Sequence, residues 1–159
     1  MAAGAGGGVT LAFEFFGEPQ LARTLERFGG AEVDLSRAWT QITALFLDAE
    51  RRQFASQGAY GSGGWAPLSP KYARWKARHY PGKPILRRTD ELFRSLTVGP
   101  QVRIARPRLL VLGSAVSHGV YHTRGEGNLP RRRPVELPDS ERRKITKIVH
   151  VELVRGGAR

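Results

Sequence analysis

Four prolines between Trp65 and Val98, namely Pro67, Pro70, Pro81 and Pro84, constrain this chain more than any other feature. Proline lacks an N–H and its ring blocks the preceding helical turn, so the stretch can be neither one long helix nor a central strand. Large apolar side chains alternate there with basic ones: Trp65, Leu68, Tyr72, Trp75, Ile85, Leu86, Leu92, Phe93 and Leu96. That spacing predicts short helices and a connecting turn docked on one core, with the flanking segments as the platform. Trp39, Trp65, Leu68, Trp75, Leu86, Leu92 and Leu96 are the expected core anchors.

The platform reads from periodicity. Val9 to Phe16 alternates as a strand, with Val9, Leu11, Phe13 and Phe15 on one side. Pro19 opens a short amphipathic helix carrying Leu21, Leu25 and Phe28, which Gly29 and Gly30 stop. Asp34 is a plausible N-cap for the longest helix, whose apolar face runs Leu35, Ala38, Trp39, Ile42, Leu45, Phe46, Ala49 and Phe54. At about 1.5 Å per residue such a helix crosses a whole small sheet. Gln57 to Gly64 is glycine-rich and predicts a flexible loop.

Ser69-Pro70 pairs a cap with proline in a first turn and starts a helix to about Arg78 that displays Lys71, Arg74, Lys76 and Arg78. Tyr80 to Pro84 is a turn, and Thr89 is the expected cap of a second short helix holding Leu92, Phe93 and Leu96. Gln101–Ala105 and Leu109–Leu112 predict a hairpin with Arg106 and Arg108 at its tip. A further strand is expected near 133–137, then a last helix capped by Asp139 or Ser140 with Ile145, Ile148, Val149 and Leu153 on its apolar face. The class is α+β: a small, mostly antiparallel sheet of three to four strands against one long and several short helices. One domain is expected over residues 9–155, between flexible tails at 1–8 and 156–159, and no segment repeats.

Charge sharpens the reading. Of a net +12, residues 69–109 hold 11 Lys/Arg against 2 Asp/Glu, whereas residues 1–68 hold 5 against 7. A lone domain gains only self-repulsion from such asymmetry, so an acidic partner is implied, either nucleic acid or an acidic protein face. The chain has no cysteine, which excludes a disulfide framework and thiolate chemistry. No apolar run approaches the roughly 18–20 residues of a spanning helix, and MAAGAGGG at the start lacks the features of a signal peptide. A soluble chain made in a cytoplasm, without contact to membrane, is expected.

Candidate chemistry is sparse. His118 and His122 have the i, i+4 spacing of metal ligands, but Gly119 stands where a hydrolase motif has Glu, so a structural histidine is the favoured reading. The glycines at 61, 63 and 64 lack the Lys-Ser/Thr of a phosphate loop, and Pro84 spoils Gly82-Lys83. Neither an enzyme nor a cofactor is indicated. Tyr72, Trp75, His79 and Tyr80 interleaved with Lys71, Arg74, Lys76 and Arg78 have the makings of a base-stacking, phosphate-binding surface. An amphipathic helix would instead bury Tyr72 and Trp75, and that is the favoured reading. Arg131-Arg132-Arg133, stiffened by Pro130 and Pro134, is either a phosphate clamp or a loop that pairs with carboxylates on a neighbouring subunit.

Several of these residues carry a family resemblance. Trp65-x-Pro67-Leu68-Ser69 with Lys71 and Tyr72 beyond it, then Ile85-Leu86-x-x-Thr89-x-x-Leu92-x-x-Ser95-Leu96, His122-x-x-Gly125 and Arg133-Pro134, resemble the virion-morphogenesis, or tail-completion, family of Mu-like bacteriophages. The pattern spans roughly residues 65–154. The resemblance implies a structural virion protein at the neck or tail end, acting in tail completion and head-tail joining. Its implied partners are further copies of itself, as a hexameric ring, tail-tube and head-connector proteins, and phage DNA in transient contact. Lys71, Arg74, Lys76, Arg78, Arg124, Arg131, Arg132 and Arg133 are the expected subunit or partner interface. Six copies would carry about +72, and cations lining the bore would hold DNA back, so the basic stretch is expected to face acidic neighbours. The reading from another class is a stand-alone basic nucleic-acid-binding protein.

Overall fold

A computed structural model of the protein describes residues 9–13, 34–125 and 127–156. The fold is α+β. In chain order the elements are β1 (Val9–Phe13), α1 (Ser36–Ala55), α2 (Ala59–Ser62), α3 (Pro70–His79), α4 (Glu91–Thr97), β2 (Val102–Arg106), β3 (Leu109–Ser114), α5 (His118–Arg124) and α6 (Asp139–Gly156). The expected helix over 19–28 lies outside the described residues, as do the expected N-terminal tail and the last three residues. Among the described residues no helix is long and apolar enough to cross a membrane.

β2 and β3 form the expected hairpin, antiparallel from Val102↔Gly113 to Arg106↔Leu109. β1 runs antiparallel along the other edge of β3, from Val9↔Ser114 to Phe13↔Leu110. The inward face of β3 follows the strand period of two: Leu110, Leu112 and Ser114 are buried. The hairpin tip is tied to the start of α1, where Leu35 N–H donates to Pro107 O at 2.8 Å and Trp39 Nε1–H donates to Arg106 O at 2.8 Å. Asp34 acts one position earlier than expected: its Oδ1 accepts from Ser36 N–H at 2.8 Å, while Leu35 occupies the cap position.

α1 is the spine. Ala38, Trp39, Ile42, Phe46, Ala49 and Phe54 are buried along one stripe, meeting Leu92 and Leu96 of α4 and Ile145, Val149 and Leu153 of α6. α6, with 18 residues, is nearly as long as α1, with 20, and packs on it, so the fold has two long helices where one was expected. Of the expected anchors, Trp39, Trp65, Leu92 and Leu96 are in this core. Trp65 packs edge-on against Phe54 at 5.2 Å between ring centroids. Leu86 is partly buried against the core, Leu68 is half-buried outside it, and Trp75 lies on the surface. A short polar relay also joins α4 to β3. Ser95 Oγ donates to Leu92 O, which leaves the buried Ser114 hydroxyl to donate to Ser95 Oγ at 2.6 Å. Val116 N–H donates to Ser114 Oγ in turn.

Three expectations fail for identifiable reasons. The segment near 133–137 is not a strand, because the Arg133 carbonyl is consumed by side chains: Trp65 Nε1–H at 3.0 Å and Gln53 Nε2–H at 3.2 Å both donate to it. The glycine-rich segment 57–64 is packed and carries α2, with Gly61 N–H donating to the buried Gln53 Oε1 at 2.8 Å. Thr89 does not cap α4; Asp90 holds that position, in the left-handed region at φ 61°, and ion pairs engage its side chain.

Glycine is required at position 58. Its φ is +89°, and a Cβ there would lie 2.3 Å from Trp65 Cδ1. Gly63 has a similar φ of +75° but open space around it. Chemical denaturation should therefore show Gly63→Ala losing about 1 kcal/mol to backbone strain alone, and Gly58→Ala losing about 2 kcal/mol more as Trp65 is displaced.

Glu50, on α1, is fully buried, and among the described residues neither carboxylate oxygen has a hydrogen-bond partner. Burial alone pushes its pKa well above the ordinary 4.5. The folded chain therefore holds a proton that the unfolded chain releases, and stability falls as pH rises above about 4.5 toward that raised value. Glu50→Met should gain about 1–3 kcal/mol at neutral pH and flatten this part of the stability–pH curve, measured by denaturation from pH 4 upward.

Candidate functional site: a basic aromatic helix over a cationic cleft

α3 begins as its sequence dictates, with Pro70 in the first turn and Ser69 Oγ accepting from Tyr72 N–H at 3.4 Å. It contains four Lys/Arg and no acid. Its inward residue is Lys76, only 4% exposed, whose ammonium donates to Pro84 O. The helix thus rests on the proline turn through a lysine stem and leaves its aromatic residues outside. Tyr72 and Trp75 are 37% and 40% exposed, against the expectation of burial, and Trp75 is not a core anchor. The reason is rotational: neighbouring positions on a helix differ by about 100°, and the position facing inward went to residue 76.

Outside, the rings build a column. Tyr72 and Trp75 stack at 5.4 Å with 23° between planes, and Trp75 and His79 at 4.7 Å with 24°. His79 Nδ1–H donates to Trp75 O at 2.8 Å, holding that imidazole in place. Tyr80 leans on Trp75 at 5.8 Å and carries the Arg88 guanidinium 6.0 Å above its own ring. Lys71, Arg74 and Arg78 are exposed around this column. Aromatic rings and arginines are the side chains enriched where proteins dock, since they bury much area at little conformational cost.

Beneath α3 lies a cleft of about 270 Å³ between the helix, the 85–92 segment, α5 and Arg132. Arg132 is 4% exposed. Its Nε–H donates to Ala66 O at 2.7 Å, an Nη2–H donates to Pro67 O at 2.8 Å, and its backbone N–H donates to His122 O at 2.7 Å. Desolvation lowers the pKa of Lys76, and Arg132 nearby lowers it further. His122 is lowered for the same reasons, burial first, then Arg132 and His118. At the rim, Asp90 is bonded by Arg87 Nε–H at 2.7 Å and by the Lys83 ammonium, and those two bonds hold its pKa down to about 2. The Arg87 guanidinium also covers the Phe93 ring at 3.9 Å.

The expected interface residues therefore divide. Lys71, Arg74, Arg78 and Arg124 are exposed. Arg131 is exposed with its Nε–H on Thr123 O at 3.2 Å, and Arg133 is exposed and paired to Glu136 at 2.7 Å. Lys76 and Arg132 point inward, which removes them from any flat docking surface and makes them lining of the cleft. Burial alternates along the arginine run, exposed at 131, buried at 132 and exposed at 133, the pattern produced when successive side chains point to opposite sides. His118 and His122 share the cleft on α5, but with Arg132 beside them the field favours an anion over a metal ion. Among the described residues no group of three or more His, Cys, Asp or Glu could hold a metal. Sequence reasoning missed Leu86, Arg88 and Asp90 as parts of one site, and the one signal available was that Asp90 and Glu91 are the only acids in a basic stretch.

Comparison with known proteins finds no match to a family model, to a curated protein or to a solved structure.

Asp90→Asn tests the rim, because asparagine tolerates the same left-handed backbone while losing the charge. The depressed carboxyl contributes stability above its ordinary value of 3.8, and loses it as pH falls through about 2. The variant should be less stable than wild type by about 2 kcal/mol at neutral pH, and the gap should close between about pH 4 and 2 in acid denaturation.

Proposed function

We propose that the protein is a structural virion subunit of phage tail completion and head-tail joining. It works by docking the α3 face on acidic protein neighbours within a ring of its own copies. The sequence resemblance supports the role, and the exposed column Tyr72–Trp75–His79 amid Lys71, Arg74 and Arg78 supports the mode of attachment. Rings exposed on a folded domain, bordered by charge, favour a partner that covers them. Head-to-tail contacts that close by rotation would generate the ring.

The same column weighs against nucleic acid. Base stacking needs a free ring face. Trp75, the largest ring of the column, lies between Tyr72 and His79 along the helix and stacks on both, so it offers a partner mainly its edge, beside the exposed Arg74 and Arg78. Edges and arginines suit carboxylates and apolar side chains of a protein.

Light scattering of the full chain, alone and with tail-tube subunits, tests the assembly. Wild type should form a closed oligomer or a complex with those subunits. Trp75→Ala should weaken association by about tenfold or more, with little change in melting temperature, since the ring is not in the core. Arg74→Glu should weaken it similarly and remove part of its salt dependence. A chain that stays monomeric with tail-tube subunits present, yet shifts duplex DNA at submicromolar concentration with a steep salt dependence, would replace this reading with the nucleic-acid one.

A further inference from the structure

The cleft beneath α3 is short of negative charge. Lys76, Arg87, Arg88 and Arg132 line it with His118 and His122, against two carboxylates, Asp90 and Glu91. Asp90 is already engaged by Lys83 and Arg87, and Glu91 is exposed. The hydrogen bonds of Lys76 and Arg132 end on carbonyl oxygens of Pro84, Ala66 and Pro67. A carbonyl satisfies an N–H but cancels no charge, and Asp90 offsets only part of the repulsion that Lys76 meets from Arg132, so two buried cations beside each other are costly to keep. A guanidinium has five N–H donors, of which those carbonyls take two.

Two further observations fall on the same cleft. His122 Nδ1 is buried and has no hydrogen-bond partner among the described residues. The non-glycine residues with positive φ among the described residues are Gln57, Leu86 and Asp90, and the last two lie on the rim. A leucine at φ 59° costs roughly 1–2 kcal/mol. Such strain persists where the surroundings hold a geometry in place, as they do at ligand clamps.

The remaining wall is apolar, with Leu68, Ile85, Leu86 and Leu92. We propose that this cleft binds a carboxylate on a short apolar stem. Lys76, Arg132 and His122 take the carboxylate, and the stem lies along Leu68, Leu86 and Leu92. A phosphate, polar on every side, would leave oxygens against the leucines and lose hydration without return. A glutamate side chain of a partner polypeptide and a small free acid share this chemistry. The inference does not depend on whether the chain assembles into a ring.

Nuclear magnetic resonance on the full chain tests it, following the His122 ring and the Arg132 Nε–H during titration with butyrate, butyramide and inorganic phosphate. Butyrate should shift both signals saturably and raise the His122 pKa, butyramide should leave them unmoved, and phosphate should act at least about tenfold more weakly, since it wastes the apolar wall. A capped peptide with glutamate between two leucines then separates the sources: binding tenfold tighter than butyrate assigns the site to a partner polypeptide, and equal or weaker binding assigns it to a free acid. Truncating Lys76 or Arg132 risks the fold, so the variant is His122→Gln, expected to weaken butyrate about tenfold while the melting temperature holds. Equal responses to butyrate and butyramide, phosphate binding as tightly as butyrate, or unchanged butyrate affinity in His122→Gln would each overturn the proposal.

Discussion

The hydrogen bonds from the Arg132 guanidinium to Ala66 O and Pro67 O hold together everything that makes this surface unusual. They join positions 66 and 65 residues apart and pin the entry to α3 against the loop that follows α5. Other anchors of the proline stretch are Trp65 in the core, Ile85 and Leu86 against it, and α4, while Lys76 ties α3 to Pro84 O. A buried arginine is an expensive clamp. It is kept where planar, multi-donor geometry does what an apolar contact cannot, and here it leaves a cationic floor behind the helix it positions.

α1 supplies the other half of that construction. Its apolar stripe makes the core, but its buried Gln53 does the joining, taking Gly61 N–H and reaching toward Arg133 O. Trp65 Nε1–H arrives at the same carbonyl. The Arg133 carbonyl is thus held by two side chains from distant segments, while the Arg132 side chain, one residue earlier, lines the cleft. The contact to Trp65 and Gln53 and the lining of the cleft thus come from consecutive residues of one segment.

Much of the fold was legible because it rests on period and punctuation. α1, α3, α6 and the β2–β3 hairpin follow from apolar spacing, Ser69-Pro70 and the Arg106–Arg108 tip. What escaped were features decided by contacts far apart in sequence. A strand near 133–137 was predicted by local composition and prevented by Trp65 and Gln53. The glycines at 58 and 61 read as slack, whereas they allow close approach to Trp65 and to Glu136 O. Tyr72 and Trp75 have the spacing of a buried face, but a single lysine at position 76 took the inward direction. The arginine run was visible as a cluster, while its division into one buried and two exposed side chains depended on a backbone that no local pattern announces.

That division bears on how such a chain can carry +12 at all. Charge spread over a surface repels itself weakly through water, whereas Lys76 and Arg132 have been brought out of water and near each other. Their hydrogen bonds to Pro84, Ala66 and Pro67 carbonyls hold the segment in place but cancel no charge, so the electrostatic cost of the pair remains. The exposed aromatic column above them is likewise more costly than a polar helix face. Both costs meet at the ten-residue α3, the rings on its outer side and, on its inner side, Lys76 beside Arg132 of the segment after α5. On the reading proposed above, an acidic and partly apolar partner would offset both costs, covering the rings outside and supplying negative charge to the cations within.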